Sequence, residues 1–255
     1  MKKFLFLGMA LTVSMTLLLT ACKKEVPPPV DANNTIGDGP KIELIPNAVT
    51  DVDGNSYDAV QIGEQVWMAE NLVTTHYANG TLILEAQGAY SSAQEPLRYT
   101  TSCLYNWPAV MHGSGSSSSN PSHVQGVCPD GWHVPSDAEW TQLTTYVGGF
   151  SEFTCDGSPE NIAKALAINY GWGSTSDELC AVGNNAESNN ATGFSAARHG
   201  LFRGSTILGP GANFWTCTAT GSGDVYYRSI QVNKATVIKD EYPAHYGLNV
   251  RCVRN

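Results

Sequence analysis

The sequence predicts an α+β fold: one folded domain of short strands, hairpins and two main helices, set behind a leader and a Pro-rich linker. Three observations carry this. Short alternating runs bounded by turn residues begin near Val49. Two helix signatures, each with its own start and stop, lie in the middle. Short strand-like runs return from about Thr192 to the end, and strands, then helices, then strands suggest α+β. The chain has 255 residues, 42% hydrophobic and only 15% charged, so it is long enough for a substantial core.

The leader comes first. Lys2 and Lys3 precede an uncharged apolar stretch from Phe4 to Leu19, closed by Leu19-Thr20-Ala21-Cys22. Length and flanks suit a secretory signal peptide over residues 1–21, not a membrane span. The last four residues resemble a bacterial lipobox. That implies cleavage before Cys22, a diacylglycerol thioether on its sulfur and acylation of the new amino group, palmitate being one such acyl chain. Three chains are ample for stable anchoring. Residues 22–48 then contain Pro27, Pro28, Pro29, Pro40 and Pro46 among Asp, Asn and Gly, with no apolar periodicity. Such a segment favours extended polyproline II, at roughly 3 Å per residue, and reads as a semi-rigid spacer.

The folded part is assigned to residues 49–255. Val52-Asp53-Gly54-Asn55 carries an Asp-Gly turn. Asp51, Asp53 and Asn55 have the spacing that opens a calcium loop, but the sixth position is Ser56 where glycine is needed, and the twelfth is Ile62 in place of Glu. The turn is preferred, and no metal or other cofactor is expected. Tyr57 to Ile62, Gly63-Glu64 and Gln65 to Met68 form a hairpin signal. Ser136 and Glu139 make a capping box after Pro135, with Trp140, Leu143 and Val147 on one face and Gly148 at the end. Ser158-Pro159-Glu160 opens a second helix, with Ile162, Ala165 and Leu166 inward and Gly171 near its end. Phe214 to Thr216, Tyr226 to Val232, Thr236 to Lys239 and Leu248 to Val253 are strand-like. His112 to Gln125 is Ser-, Gly- and Asn-rich and reads as a flexible loop.

Fourteen basic against 23 acidic side chains give a net charge of −9. Without a Lys/Arg patch, such a chain is a poor partner for nucleic acid or an anionic membrane surface. No phosphate-cradling glycine loop is present. There are seven cysteines. Lipidation of Cys22 leaves an even number, which in an exported protein suggests up to three disulfides, though spacing alone cannot choose their pairing. Cys155 and Cys180 bracket the second helix and would close a local excursion poor in large apolar side chains. A zinc site has no support, because the histidines are scattered and no Cys-x-x-Cys occurs.

Several blocks resemble one family. Asp51-Val-Asp-Gly-Asn, Tyr57, Ile62-Gly63 and Trp67-Met68-Ala69-Glu70-Asn71-Leu72 resemble the opening of the Fibrobacter succinogenes major paralogous domain. Leu104 to Trp107, Cys128 to Trp140, Asn190 to Ala196 and Gly247 to Arg254 continue it in order, so the resemblance spans about 50–255. It implies a lipoprotein or secreted protein of Bacteroidetes or Fibrobacteres, with a domain similar to the C-type-lectin-like fold that formylglycine-generating-type enzymes share, and it does not by itself assign a biochemical activity. Surface-exported lipoproteins of the Bacteroidetes often carry an acidic run after the lipid cysteine. Here Lys23-Lys24-Glu25 follows, so the surface and periplasmic faces of the outer membrane both stay open. The resemblance further implies a Cys128–Cys252 bridge. Phe214-Trp215-Thr216-Cys217 departs from the common Trp-Trp-Ser-Ser, and with Cys103 this suggests Cys103–Cys217 as the remaining bridge.

Three function classes compete. A surface binding or adhesion module, for glycan or protein, draws on the lectin-like resemblance, the tether and the six Trp and eleven Tyr. Trp67, Trp107, Trp132 and Trp140 read as core, and the calcium-lectin motifs are absent. The loop 112–125 and Trp172, Tyr226 and Tyr227 are therefore the candidate ligand contacts. A glycoside hydrolase would need carboxylates such as Glu70, Asp137 and Glu139, but Glu139 is spoken for as a helix cap and Asp137 suits the helix dipole. Formylglycine-generating chemistry, which the resemblance also raises, would need a reactive cysteine pair, and Cys217 and Cys252 are better explained as structural. No nucleophile elbow or zinc-protease motif is present, so no catalytic residue is assigned. A structural subunit of a surface complex is the third reading, and nothing in the sequence separates it from the first.

Overall fold

The computed structural model describes residues 39–83, 103–176, 178–204, 206–209 and 211–255. The lipid anchor at Cys22, the leader and most of the linker lie outside them. In chain order the elements are β1 (Ile42–Thr50), β2 (Ser56–Ile62), β3 (Gln65–Met68), α1 (Trp107–Met111), β4 (Trp132–His133), α2 (Asp137–Gly148), α3 (Ala163–Leu166), β5 (Leu201–Arg203), β6 (Thr206–Leu208), β7 (Gly211–Ala219), β8 (Asp224–Gln231), β9 (Ile238–Pro243) and β10 (Val253–Arg254). Many strands with few helices make this α+β, as the element order predicts. Among the described residues, no helix is long and apolar enough to cross a membrane.

One antiparallel sheet has the order β1-β2-β3-β10-β4, a second is β7-β8-β9, and β5-β6 form a small hairpin. The β2–β3 hairpin is the predicted one, with Ala59 opposite Met68 and Ile62 opposite Gln65. Its turn needs glycine twice over. Gly63 has φ +62, and a Cβ there would meet the Tyr146 ring at 2.8 Å. The sheet begins earlier than residue 49, because β1 pairs with β2 from Ile42 onward. Pro46 misleads here. It sits where the register shifts between Ile45 and Val49 on an edge strand, a place that tolerates a missing donor.

Alternation along the strands sorts the core into two clusters. Tyr57 and Ala59 of β2, Met68 of β3 and Trp215 and Cys217 of β7 enter the first. Val60, Ile62, Trp67, Ala212 and Phe214 enter the second. Successive side chains point to opposite faces, so the strands carry apolar packing on both sides. Helix α2 closes the second cluster through Trp140, Leu143 and Val147, all fully buried. Trp140 meets Trp67 at 4.8 Å and Phe214 at 5.4 Å between ring centroids.

Expectations change at three further places along the backbone. The second helix shrinks to Ala163–Leu166, because the backbone around it is committed elsewhere. Ala163 N donates to Ala235 O at 2.9 Å, and Ala167 leaves the helix to bridge Ala196. The loop 112–125 is sewn down: Ser117 N donates to Cys217 O, Ser122 Oγ to Val134 O and Thr218 Oγ1 to Ser117 O. Of the run Leu248 to Val253, only Val253 lies in a strand, while Leu248 and Asn249 make isolated bridges to Tyr105 and Phe214.

Cys128–Cys252 and Cys155–Cys180 are bridged, spanning 124 and 25 residues. Cys103–Cys217 is not formed, because Cys217 keeps a free, buried thiol. That thiol points into the sewn loop, 3.5 Å from Ser117 O, whereas Cys103 is not a free thiol but is itself disulfide-bonded, its Sγ 3.5 Å from Val73 O. Burial, with the nearby charge of Glu139, pushes the Cys217 thiol up to about 11.

Candidate functional site

The aromatic candidates separate. Trp172 is fully buried in the second cluster, and Tyr227 is 3% exposed in the first. Neither can meet a ligand. Tyr226 remains half-buried. Strand parity explains the split. Tyr227 lies opposite Trp215 on the inner side, so its neighbour Tyr226 turns the other way, with Arg228.

On the Tyr226 face, Lys239 Nζ sits 4.1 Å from the ring centroid. Lys239 also reaches Asp137 Oδ2 at 2.7 Å, and Arg228 Nη2 reaches Asp137 Oδ1 at 2.7 Å and Thr141 Oγ1 at 2.8 Å. Helix α2 thus sets its first carboxylate against two cations of the hairpin. The β7–β8 and β8–β9 ladders hold the rows in register, with Arg228 opposite Lys239.

The other face carries a strip that the sequence reading missed. Tyr242 stacks on Tyr227 at 4.2 Å and 15°, and Tyr246 follows at 5.2 Å. His245 meets Tyr246 edge-on, and the Arg203 guanidinium lies 5.7 Å from the Tyr246 ring centroid. Tyr242 and Tyr246 are half-buried, and His245 and Arg203 are exposed. Burial, reinforced by a hydrogen bond to Tyr242 and the charge of Asp240, pushes the Tyr227 hydroxyl far up. The strip is anchored below, where Trp107 N donates to Ala244 O and Trp107 Nε1 to Thr216 O. The signal was the aromatic-rich run Tyr242-Pro-Ala-His-Tyr246. Chemically, such a hairpin offers ring faces beside cations and hydroxyls, suited to stacking and hydrogen bonding.

The carboxylates weighed for catalysis are not a free pair. Asp137 is held by Arg228 and Lys239. Glu139 is 1% exposed, and its oxygens contact His133 Nε2, Ser136 N and Ser122 N. Glu70 accepts from Asp58 N at 3.1 Å. The calcium-like spacing is a side-chain-capped turn: Asp51 accepts from Asp53 N, Asn55 N, Asn55 Nδ2 and Tyr57 OH. Asp53 is used too. Burial would raise its carboxyl, but hydrogen bonds from Thr75 and His76 outweigh that and hold it below the ordinary carboxylate range. Among the described residues, no group of three or more His, Cys, Asp or Glu could hold a metal ion.

Sequence blocks far apart in the chain meet at Arg251, which is 1% exposed. Its Nε donates to Asn71 Oδ1 at 2.9 Å, Nη1 to Met68 O and Phe194 O, and Nη2 to Ser195 O at 2.8 Å. The guanidinium lies 4.6 Å from the Phe194 ring centroid. Asn71 also donates to Asn249 Oδ1, and Asn249 to Asn213 O. One guanidinium therefore ties the blocks at 67–72, 190–196 and 247–254 together. The model of the Fibrobacter succinogenes major domain matches residues 60–254. The chain belongs to this family. No curated protein and no solved structure matches it. In this major domain the blocks tied by Arg251 build the scaffold, and the aromatic strip on the β8–β9 hairpin and the turn that follows it lies within the matched residues as well.

Proposed function

We propose that this major domain is the non-catalytic binding module of a lipoprotein anchored to the outer membrane through Cys22, and that the β8–β9 hairpin with the 244–246 turn is its binding surface. One observation carries the reading: Tyr242 and Tyr246 stay partly open beside Arg203 on one face of the hairpin and Tyr226 beside Lys239 on the other, whereas the carboxylates weighed for catalysis are held in structural bonds. Aromatic faces stack on the C–H faces of sugar rings, and nearby donors meet hydroxyls, so glycan is the ligand class favoured. The C-type-lectin-like likeness that the family implies points the same way. Tyr and Arg are also typical anchors of protein interfaces, so a surface protein is the competing partner.

The test is a glycan array paired with a pull-down from membranes, using wild type and Tyr226→Ala, Tyr242→Ala and Tyr246→Ala. Glycan binding that falls about tenfold or more in at least one variant, with the fold retained, supports the proposal. Binding unchanged in all three overturns the hairpin as the site. A stoichiometric protein partner without glycan binding favours the assembly-subunit reading. The anchor is checked separately by metabolic labelling with a palmitate analogue and detergent partitioning. Wild type is expected to take label and enter the detergent phase and Cys22→Ala to do neither; equal labelling removes the lipid anchor.

A further inference from the structure

His133 is 1% exposed and lies on β4 opposite Val253 of β10. Both of its ring nitrogens face oxygen. Nε2 is 2.6 Å from Glu139 Oε1, and Nδ1 is 2.7 Å from Asn255 Oδ1. The second oxygen of Glu139 accepts from two backbone N–H groups, Ser136 at 2.9 Å and Ser122 at 3.1 Å. An oxygen that faces two donors carries no proton, so the pair's one proton lies on the Oε1–Nε2 contact. An imidazole is ordinarily the more basic partner of a carboxylate by about two pH units, so that proton is assigned to Nε2. An imidazole that donates from both nitrogens is an imidazolium.

The charges around the ring agree with this assignment. On α2, Asp137 is neutralised by Arg228 and Lys239 from the hairpin. On β10, the Arg254 guanidinium lies over the Trp132 ring at 5.1 Å. On β7, the Cys217 thiol is neutral at neutral pH. In the turn before β4, Asp130 accepts from Gln125 Nε2. Glu139 is the charge that bonds the ring. Burial alone would lower the basicity of His133, but the Glu139 hydrogen bond and charge, with the bond to Asn255, overcome it and raise the net value.

We propose that His133 is a buried imidazolium in the neutral range, clamping the end of the C-terminal strand to helix α2, and that this clamp opens as the medium turns alkaline. The direction follows from linkage. A charged form favoured by the fold contributes its stability fully below the ordinary histidine value of about 6.5, and that contribution is lost as pH rises through the raised folded value. Opening stays local, because Cys128–Cys252 holds the strand just before Val253. The freed part is the end, where Asn255 N donates to Gly131 O at 3.0 Å.

The test is nitrogen NMR on full-length protein labelled at histidine, with signals assigned by single His→Gln variants. Both His133 nitrogens should be protonated at pH 7 and remain so beyond the ordinary histidine range. Glu139→Gln should weaken proton binding at His133 about tenfold or more, and Asn255→Ala should weaken it less. Asn255→Ala carries the test alone if Glu139→Gln does not fold. Amide exchange at Asn255 should rise with pH more steeply than at Cys252. A neutral ring at pH 7, a titration unmoved by both variants, or equal exchange slopes would each overturn the clamp.

Discussion

Two neighbouring stretches of this domain hold their shape in different ways. From Cys128 to Gly148 every local signal becomes structure. The Cys-Pro-Asp-Gly-Trp turn leads into β4, and Ser136 and Glu139 cap α2 in both directions. The apolar face of α2 then enters the second cluster. From Phe150 to Asn190 the chain turns repeatedly, and α3 is four residues long. Here side chains and a disulfide replace a backbone ladder. Lys164 Nζ donates to Asn184 O and Asn185 O, Asn189 Nδ2 to Ile168 O and Val182 O, and Thr192 Oγ1 to Ala165 O. Trp172 is buried there with its Nε1 lacking a hydrogen-bond partner. The first stretch is locally encoded, while the second is imposed by distant contacts.

The disulfides give the strongest way to break this contrast. On the chain-entropy account, losing the 124-residue loop of Cys128–Cys252 costs roughly 5 kcal/mol, and losing the 25-residue loop of Cys155–Cys180 roughly 3.5 kcal/mol. Cys128→Ser should therefore lower the denaturation midpoint more, and cooperatively across the domain. Cys155→Ser should cost less but concentrate its damage. Amide protection should fall across 155–190 and persist in α2. Uniform loss of protection in Cys155→Ser would mean that the two stretches unfold as one.

The contrast also explains what could be read in advance. The β2–β3 hairpin and the capping box use rules that act within a few residues, so they were legible. So was Cys128–Cys252, though through family resemblance and not through spacing. Ser158-Pro159-Glu160 looks like a helix start, yet Ala163 N finds Ala235 O, more than 70 residues away in the chain. Pro46 looks like linker because a bulge on an edge strand leaves no local mark. Tyr226 and Tyr227 are the sharpest case at the candidate site. Adjacent strand residues face opposite ways, and only the register with Trp215 decides which one is buried. Tyr242 and Tyr246 were missed because their exposure depends on the same register.

The smallest effects separate capping from clamping within the first stretch. As a cap alone, Glu139 would be worth about 1 kcal/mol. The structure adds a buried bond to His133 at 2.6 Å and a bond from Ser122 N. Glu139→Ala strands His133 and two backbone donors, so its cost should reach about 3 kcal/mol. Ser136→Ala removes one acceptor, that of Glu139 N at 3.2 Å, and leaves Glu139 bonded to Ser136 N, Ser122 N and His133. Its cost should be about 1 kcal/mol, with α2 still starting at Asp137. Denaturant midpoints for the two variants, measured at constant slope, decide the matter. Equal losses would make Glu139 a cap and nothing more, and would remove the His133 pair from the account of why this stretch holds.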